Sequence, residues 1–195
     1  NYIKLGMMNV CISGGSEAAV TCAGVGGFNA LKALSERNDS PETASRPYDK
    51  DRDGFVLGEG GAAIILEEYE HAKARGAKIY AEILGGNINS GGQRGLGTMT
   101  APNPIAIKKC IQSAIENAGI SANDIDYING HLTATSKDSL EIKNWSEALD
   151  RKADDFPYIN SLKSMVGHCL TAAGSIESVA TVLQLEQDFI FPNIN

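Results

Sequence analysis

Two histidines stand out for where they fall. Asn129-Gly130-His131-Leu132-Thr133-Ala134-Thr135 and Ser161-Leu162-Lys163-Ser164-Met165-Val166-Gly167-His168 each run from a strand-like stretch into a loop of small or hydroxyl residues. Two imidazoles presented in this way can donate Nε2–H bonds to one substrate oxygen and stabilise a developing enolate. The same local pattern also fits a pair of structural histidines that cap their loops. The four cysteines offer less, because Cys11, Cys22, Cys110 and Cys169 are irregularly spaced and lie in or beside apolar segments. They read as reduced structural thiols, with Cys11, Cys22 and Cys110 expected to be packed away, and no CxxC pair suggests zinc. Cys169 adjoins His168 at a helix start, yet adjacent residues point apart, so its sulfur is expected to face the core.

The elements that must position these residues alternate between strand and helix character, which predicts an α/β fold. Asn9 to Ser13 reads as a buried strand entering a loop at Gly14-Gly15-Ser16-Glu17. A helix carrying Phe28, Leu31 and Leu34 on one side follows, and residues 39–53 form a long polar connection. Phe55 to Leu66 reads as a glycine-bent strand, Glu67 to Gly76 as a short helix, and Ile79 to Leu84 as another strand. Gly85 to Thr100 reads as a loop close to a ligand or another backbone. Ile107, Ile111, Ala114, Ile115 and Ala118 stripe a helix closed by Gly119. Ile125 to Asn129 is a strand running into His131, and Leu140 to Leu149 a helix with Trp145 on its buried side. Tyr158 to Leu162 is the next strand, and Ala172, Ile176, Val179, Ala180 and Leu183 stripe a final helix. Ligands of open α/β sheets bind beyond the carboxyl ends of strands, where both histidines fall.

Composition narrows the function classes. A chain of 195 residues with 43% hydrophobic and 21% charged residues fits a soluble globular protein of one or two domains. A net charge of −7 and a pI near 5.0 argue against nucleic acid as the main partner. No run approaches the ~18–20 apolar residues of a membrane span. The chain starts at Asn1 and stops at Phe191-Pro192-Asn193-Ile194-Asn195, so both ends are expected to be cuts in a longer protein. Gly24-Val25-Gly26-Gly27 is a near miss to the GxGxxG dinucleotide fingerprint and lacks its context.

The second histidine segment is similar to the K-S-x-x-G-H motif of the β-ketoacyl-(acyl carrier protein) synthases, and the first resembles their N-A-H-G-T-x-T motif. Arg46-Pro47-Tyr48-Asp49, Asp51-Arg52-Asp53-Gly54-Phe55-Val56, Gly58-Glu59-Gly60, Leu66-Glu67-Glu68 and Ala72-Lys73-Ala74-Arg75-Gly76-Ala77 continue the likeness. Gly14-Gly15-Ser16-Glu17 and Ala33-Leu34-Ser35 carry it to the amino end. The chain thus resembles an internal stretch of an elongating condensing enzyme of that family.

This resemblance implies a thiolase-like fold of stacked αβαβα layers. Residues 1–100 would be the C-terminal part of its N-terminal half, and residues 101–195 the first part of its C-terminal half. It implies decarboxylative Claisen condensation of malonyl-acyl carrier protein with an acyl group held on a cysteine upstream of Asn1. Phosphopantetheine would arrive on the carrier protein and no further cofactor would be required. The implied partners are acyl carrier protein, malonyl and acyl thioesters and a second copy in a homodimer; the implied compartment is cytoplasmic.

By position, His131 and His168 resemble the pair that binds the malonyl thioester carbonyl, and Lys163 the lysine that structures their site. Lys163 taken alone would read as a surface salt bridge. Glu177 resembles that lysine's carboxylate neighbour, and Asp138 a structural support. Thr133 and Thr135, with Thr100, would hold the phosphopantetheine amide, and Phe28 would line the acyl pocket or belong to plain core. Asn129, Glu141 and Glu177 would hold a monovalent cation or an equivalent hydrogen-bond network. Two departures stand in the first motif: Leu132 replaces the usual Gly after the histidine, and Gly130 the usual Ala before it. One residue is also missing between His131 and Asp138. A Leu at 132 is expected to crowd the thioester channel. Two other readings share these residues: a polyketide or aryl-polyene ketosynthase, and a non-catalytic partner subunit of the chain-length-factor kind.

Overall fold

The computed structural model describes residues 1–91 and 103–195. Strand β1 (Val10–Glu17) pairs antiparallel with β2 (Gly60–Glu67), from Val10 opposite Glu67 to Glu17 opposite Gly60. Gly14 to Glu17 therefore belong to a strand, not to the expected loop. Their low β propensity is overridden by a complete ladder with Gly60 to Ala63. Helix α1 (Cys22–Ala30) follows, capped by the Thr21 hydroxyl, which accepts from the Gly24 amide at 3.1 Å. Gly24 to Gly27 thus lie inside a helix rather than in a phosphate-binding turn. The helix stops before Leu31, and Leu34 leaves it to bridge Phe55.

Helix α2 (Tyr69–Ala74) and the irregular stretch after it complete the first part. Ile79 to Leu84, expected as a strand, has no ladder partner among the described residues, and an unpaired extended segment is not a strand. Helix α3 (Pro104–Ala118) starts with the Asn103 side chain capping Ile105 and Ala106 and ends at the left-handed Gly119. It packs against α4 (Asp138–Leu149), which crosses over between β3 (Tyr127–Asn129) and β4 (Tyr158–Asn160). A crossover of that kind is what a parallel pair requires, and β3 and β4 are parallel, Ile128 opposite Ile159. Trp145 is only half-buried; Asn144 takes the buried position on α4.

The short helix α5 (Lys163–Val166) leads through a turn at residues 170–172 into α6 (Ala173–Gln187), which lies against β1 and β2. Its buried side carries Ala173, Ala180 and Gln184, while Leu183 of the expected stripe is exposed. The core is built of small residues, with Ala172, Cys169, Leu132 and Ile128 among the most enclosed. Large apolar residues on the far face of the β1–β2 sheet, Ile12 at 73% and Ile65 at 66% exposure, stand opposite each other in register.

Candidate active site

The strand β3 ends at Asn129, and the Gly130 amide extends its pairing by donating to the Asn160 carbonyl at 2.8 Å. From there one carboxylate after another holds the loop. Glu141 accepts the His131 amide at 2.6 Å on one oxygen and the Leu132 amide at 2.9 Å on the other. Asp138, fully buried at the start of α4, accepts from the amides of Thr133 at 3.0 Å, Ala134 at 2.9 Å and Thr135 at 3.3 Å. It also accepts from the Tyr48 amide at 2.8 Å, which ties the 39–53 connection to the site. Ala134 sits at φ 61°, a left-handed conformation that costs roughly 1–2 kcal/mol outside glycine. Four amides converging on one carboxylate offset that strain.

His168 is registered by main chain. Its amide donates to the Val56 carbonyl at 2.7 Å, and its carbonyl accepts from the Gly58 amide at 3.1 Å. A Cβ at Gly58 would stand 2.4 Å from the Val166 carbonyl oxygen, so only glycine allows this approach. The Leu170 amide donates to Nδ1 of His168 at 3.2 Å, which leaves the ring proton on Nε2. The two imidazoles meet edge to face, their centroids 5.3 Å apart. Phe55 stands 5.1 Å from the His168 ring, and Phe28 5.3 Å from Phe55. The four rings form one continuous row.

Lys163 is 2% exposed, and its ammonium is paired with Glu177 of α6. It is a buried ion pair, not the surface salt bridge that the lysine alone suggested. His131 and His168 are both held down to about 4, first by burial and then by the Lys163 charge, while Asp138 pulls the other way on His131. His131 keeps part of its surface open to solvent. Burial pushes Glu141 up, against the pull of the two amides it binds. Neutral imidazoles with Nε2–H groups are hydrogen-bond donors for an oxyanion.

The remaining candidates divide. The Thr133 and Thr135 hydroxyls lie 3.1 Å apart, half-buried beside His131 in the loop. Thr100 lies outside the described residues. Asn129 donates to the Tyr127 hydroxyl at 3.4 Å, and that hydroxyl donates to Asn160 at 2.5 Å. Glu141 accepts an amide on each oxygen and Glu177 meets Lys163. Among the described residues no three His, Cys, Asp or Glu side chains cluster as metal ligands.

Leu132 is 2% exposed and packed over Gly130. The expectation for three of the cysteines needs correction. Cys22 is exposed, and Cys11 and Cys110 are half-buried. Cys169 is 1% exposed; its thiol lies toward the Val166 carbonyl, 3.7 Å away, and is pushed up by burial and the Glu177 charge. Arg52 was missed as an individual residue. Its guanidinium donates to the Thr135 carbonyl at 2.7 Å, the Asp49 carbonyl at 2.7 Å and the Ser139 hydroxyl at 3.1 Å. An arginine between two aspartates in a polar connection carries no sequence signal of that placement.

Residues 80–195 match the family model described as beta-ketoacyl synthase, C-terminal domain, and residues 1–72 the one described as beta-ketoacyl synthase, N-terminal domain. The chain belongs to the β-ketoacyl synthase family. It is 47% identical, over its whole length, to a chloroplastic 3-oxoacyl-[acyl-carrier-protein] synthase II of Arabidopsis thaliana, 36% of which it covers. It is 44% identical over 99% of its length to 3-oxoacyl-[acyl-carrier-protein] synthase 2 of Vibrio cholerae, covering 46% of that protein. A crystal structure of a beta-ketoacyl synthase from Burkholderia phymatum superposes on the full chain with a TM-score of 0.89 at 39% identity, again over 46% of the solved chain. The chain therefore spans less than half the length of these relatives, and its fold class is the thiolase-like α/β fold they share. Among the described residues no helix is long and apolar enough to cross a membrane.

Proposed function

We propose that this chain supplies the enolate-forming half of a condensing site that elongates fatty acyl chains on acyl carrier protein. The observation that carries the reading is the pair of neutral imidazoles 5.3 Å apart, one with its proton held on Nε2. In this reading the malonyl thioester carbonyl oxygen accepts from His131 and His168. The bond to the carboxylate breaks, carbon dioxide leaves with no electrons from that bond, and the pair remains as an enolate stabilised by the two donors. The enolate carbon then attacks the acyl thioester of a cysteine outside these residues, and the cysteine leaves as thiolate. Charged imidazoles would deliver a proton and quench the nucleophile, so their low pKa suits the step.

Burial and the Lys163 charge keep the rings neutral, Glu177 pairs with that lysine, Asp138 and Glu141 hold the His131 loop, and Thr133 and Thr135 receive the phosphopantetheine arm. Phe28 and Phe55 wall the acyl side. The chain divides near residue 100 into the two ketosynthase halves. It works as a homodimer in the cytoplasm or, as the names of some relatives suggest for their own hosts, in an organelle. Retention of both histidines and Lys163 disfavours a non-catalytic subunit, and the names of the relatives favour fatty-acid over polyketide elongation. The test uses the full-length protein: His131→Ala and His168→Ala should each lower malonyl decarboxylation about 10²–10³-fold while cysteine acylation persists. Near-normal decarboxylation in either variant would overturn the assignment.

A further inference from the structure

Gly130 and Leu132 bracket His131, and they occupy one space. A methyl group on the Gly130 Cα would lie 3.0 Å from Leu132 Cγ, 3.1 Å from its Cδ1 and 3.3 Å from Ile159 Cδ1. Leu132 has little freedom to withdraw. Its amide is bound by Glu141 at 2.9 Å, its carbonyl accepts from the Ser161 hydroxyl at 2.9 Å, and its side chain is enclosed. The leucine therefore folds back over a bare Cα toward β4, while the residue between the two turns its ring to His168.

We propose that Leu132 is a positioning residue for His131, and that it acts only opposite glycine at position 130, the two forming one size-matched pair. A close-packed interior does not absorb an extra methyl at 3.0 Å from its neighbours without moving them. Here the neighbour that must give way is Leu132, which adjoins His131, so the backbone carrying the imidazole is displaced with it. This inference rests on the proposed role of His131 for its catalytic readout, though not for its structural one.

The experiment compares Gly130→Ala, Leu132→Ala and the double variant in the full-length protein. Malonyl decarboxylation, thermal midpoint and the titrating ring resonances of labelled histidine are followed in each. Gly130→Ala should lower kcat about 10-fold with little change in KM, a fraction of an ångström being enough to misalign a reacting group. It should move the His131 resonances and leave those of His71 in place, and the double variant should restore both kcat and resonances. If Gly130→Ala does not fold, adding Leu132→Ala should recover soluble protein. The pairing is overturned if Gly130→Ala matches the parent in rate and His131 resonances, or if the double variant is no better than Gly130→Ala. Normal decarboxylation by His131→Ala would sink the catalytic reading instead. The pairing is then decided by the resonances and the thermal midpoint.

Discussion

The amide of Leu170 donates to Nδ1 of His168 at 3.2 Å, so a backbone group two residues away sets which nitrogen of the ring carries the proton. With Nδ1 committed, protonation of His168 must sacrifice that bond as well as overcome burial and the Lys163 charge.

The pH dependence follows. Both rings are held below the ordinary 6.5, down to about 4, by burial and the Lys163 charge. Decarboxylation should therefore hold steady from pH 7 downward and fail on an acid limb near pH 4. Stability behaves differently. Below about 6.5 the unfolded chain takes up protons that the folded rings refuse, so these two groups erode stability as pH falls from 6.5 to about 4 and have no effect above. Histidine titration followed by NMR checks the premise; a ring titrating near 6.5 would refute it.

Lys163→Met should leave the Glu177 carboxylate without its counter-ion in a buried setting, at a cost of roughly 3–5 kcal/mol in unfolding free energy. The same change removes a cation that lowers both histidines, so their titration should move upward. Chemical denaturation and histidine titration of one variant test both effects, and an unchanged unfolding midpoint would count against the buried pair. Replacing Glu177 together with Lys163 by apolar residues should cost less than either single change.

Asp138→Ala removes the acceptor of four amides. Leaving buried donors unsatisfied costs about 1–3 kcal/mol each, so a total loss of at least about 3 kcal/mol is expected in thermal unfolding. Decarboxylation should fall with it, since the loop behind His131 loses its anchor. A loss below about 1 kcal/mol would mean that water replaces the carboxylate freely.

Thiol labelling separates the cysteines. A short pulse of iodoacetamide on the folded protein, read by peptide mass spectrometry, should mark the exposed Cys22 first and leave Cys169 unmodified. Equal labelling of Cys169 would show a reactive thiol beside His168 and reopen the question of where the nucleophile lies.

Much of this site was legible because its parts are local. A strand running into a histidine is written in consecutive residues, and the helix end at Gly119 announces itself by the one residue type at ease in a left-handed backbone. What escaped reading depends on distant segments. Gly14 to Glu17 form a strand only because β2 is there to pair with them, and Ile79 to Leu84 are not one because no strand stands beside them among the described residues. Leu132 could be flagged as a departure, yet its direction was set by Gly130 and Ile159 together. Arg52 reaches across to the 131–139 loop from far earlier in the chain, and nothing in its neighbourhood foretells that.

The joining of Gly58 to His168 by main chain bears on how such a site can diverge. Amide-to-carbonyl pairing takes no account of side-chain identity, so residues walling the pocket can be exchanged while the imidazole keeps its station. Gly58 and Gly167 are exceptions: the Val166 carbonyl lies 2.4 Å from where a Cβ at 58 would fall, and the Val56 carbonyl 2.9 Å from one at 167, where φ is 70°. A lineage drifting from this sequence can thus remodel the shape of what it accepts and inherit the reacting geometry whole, provided that these two positions stay without a side chain.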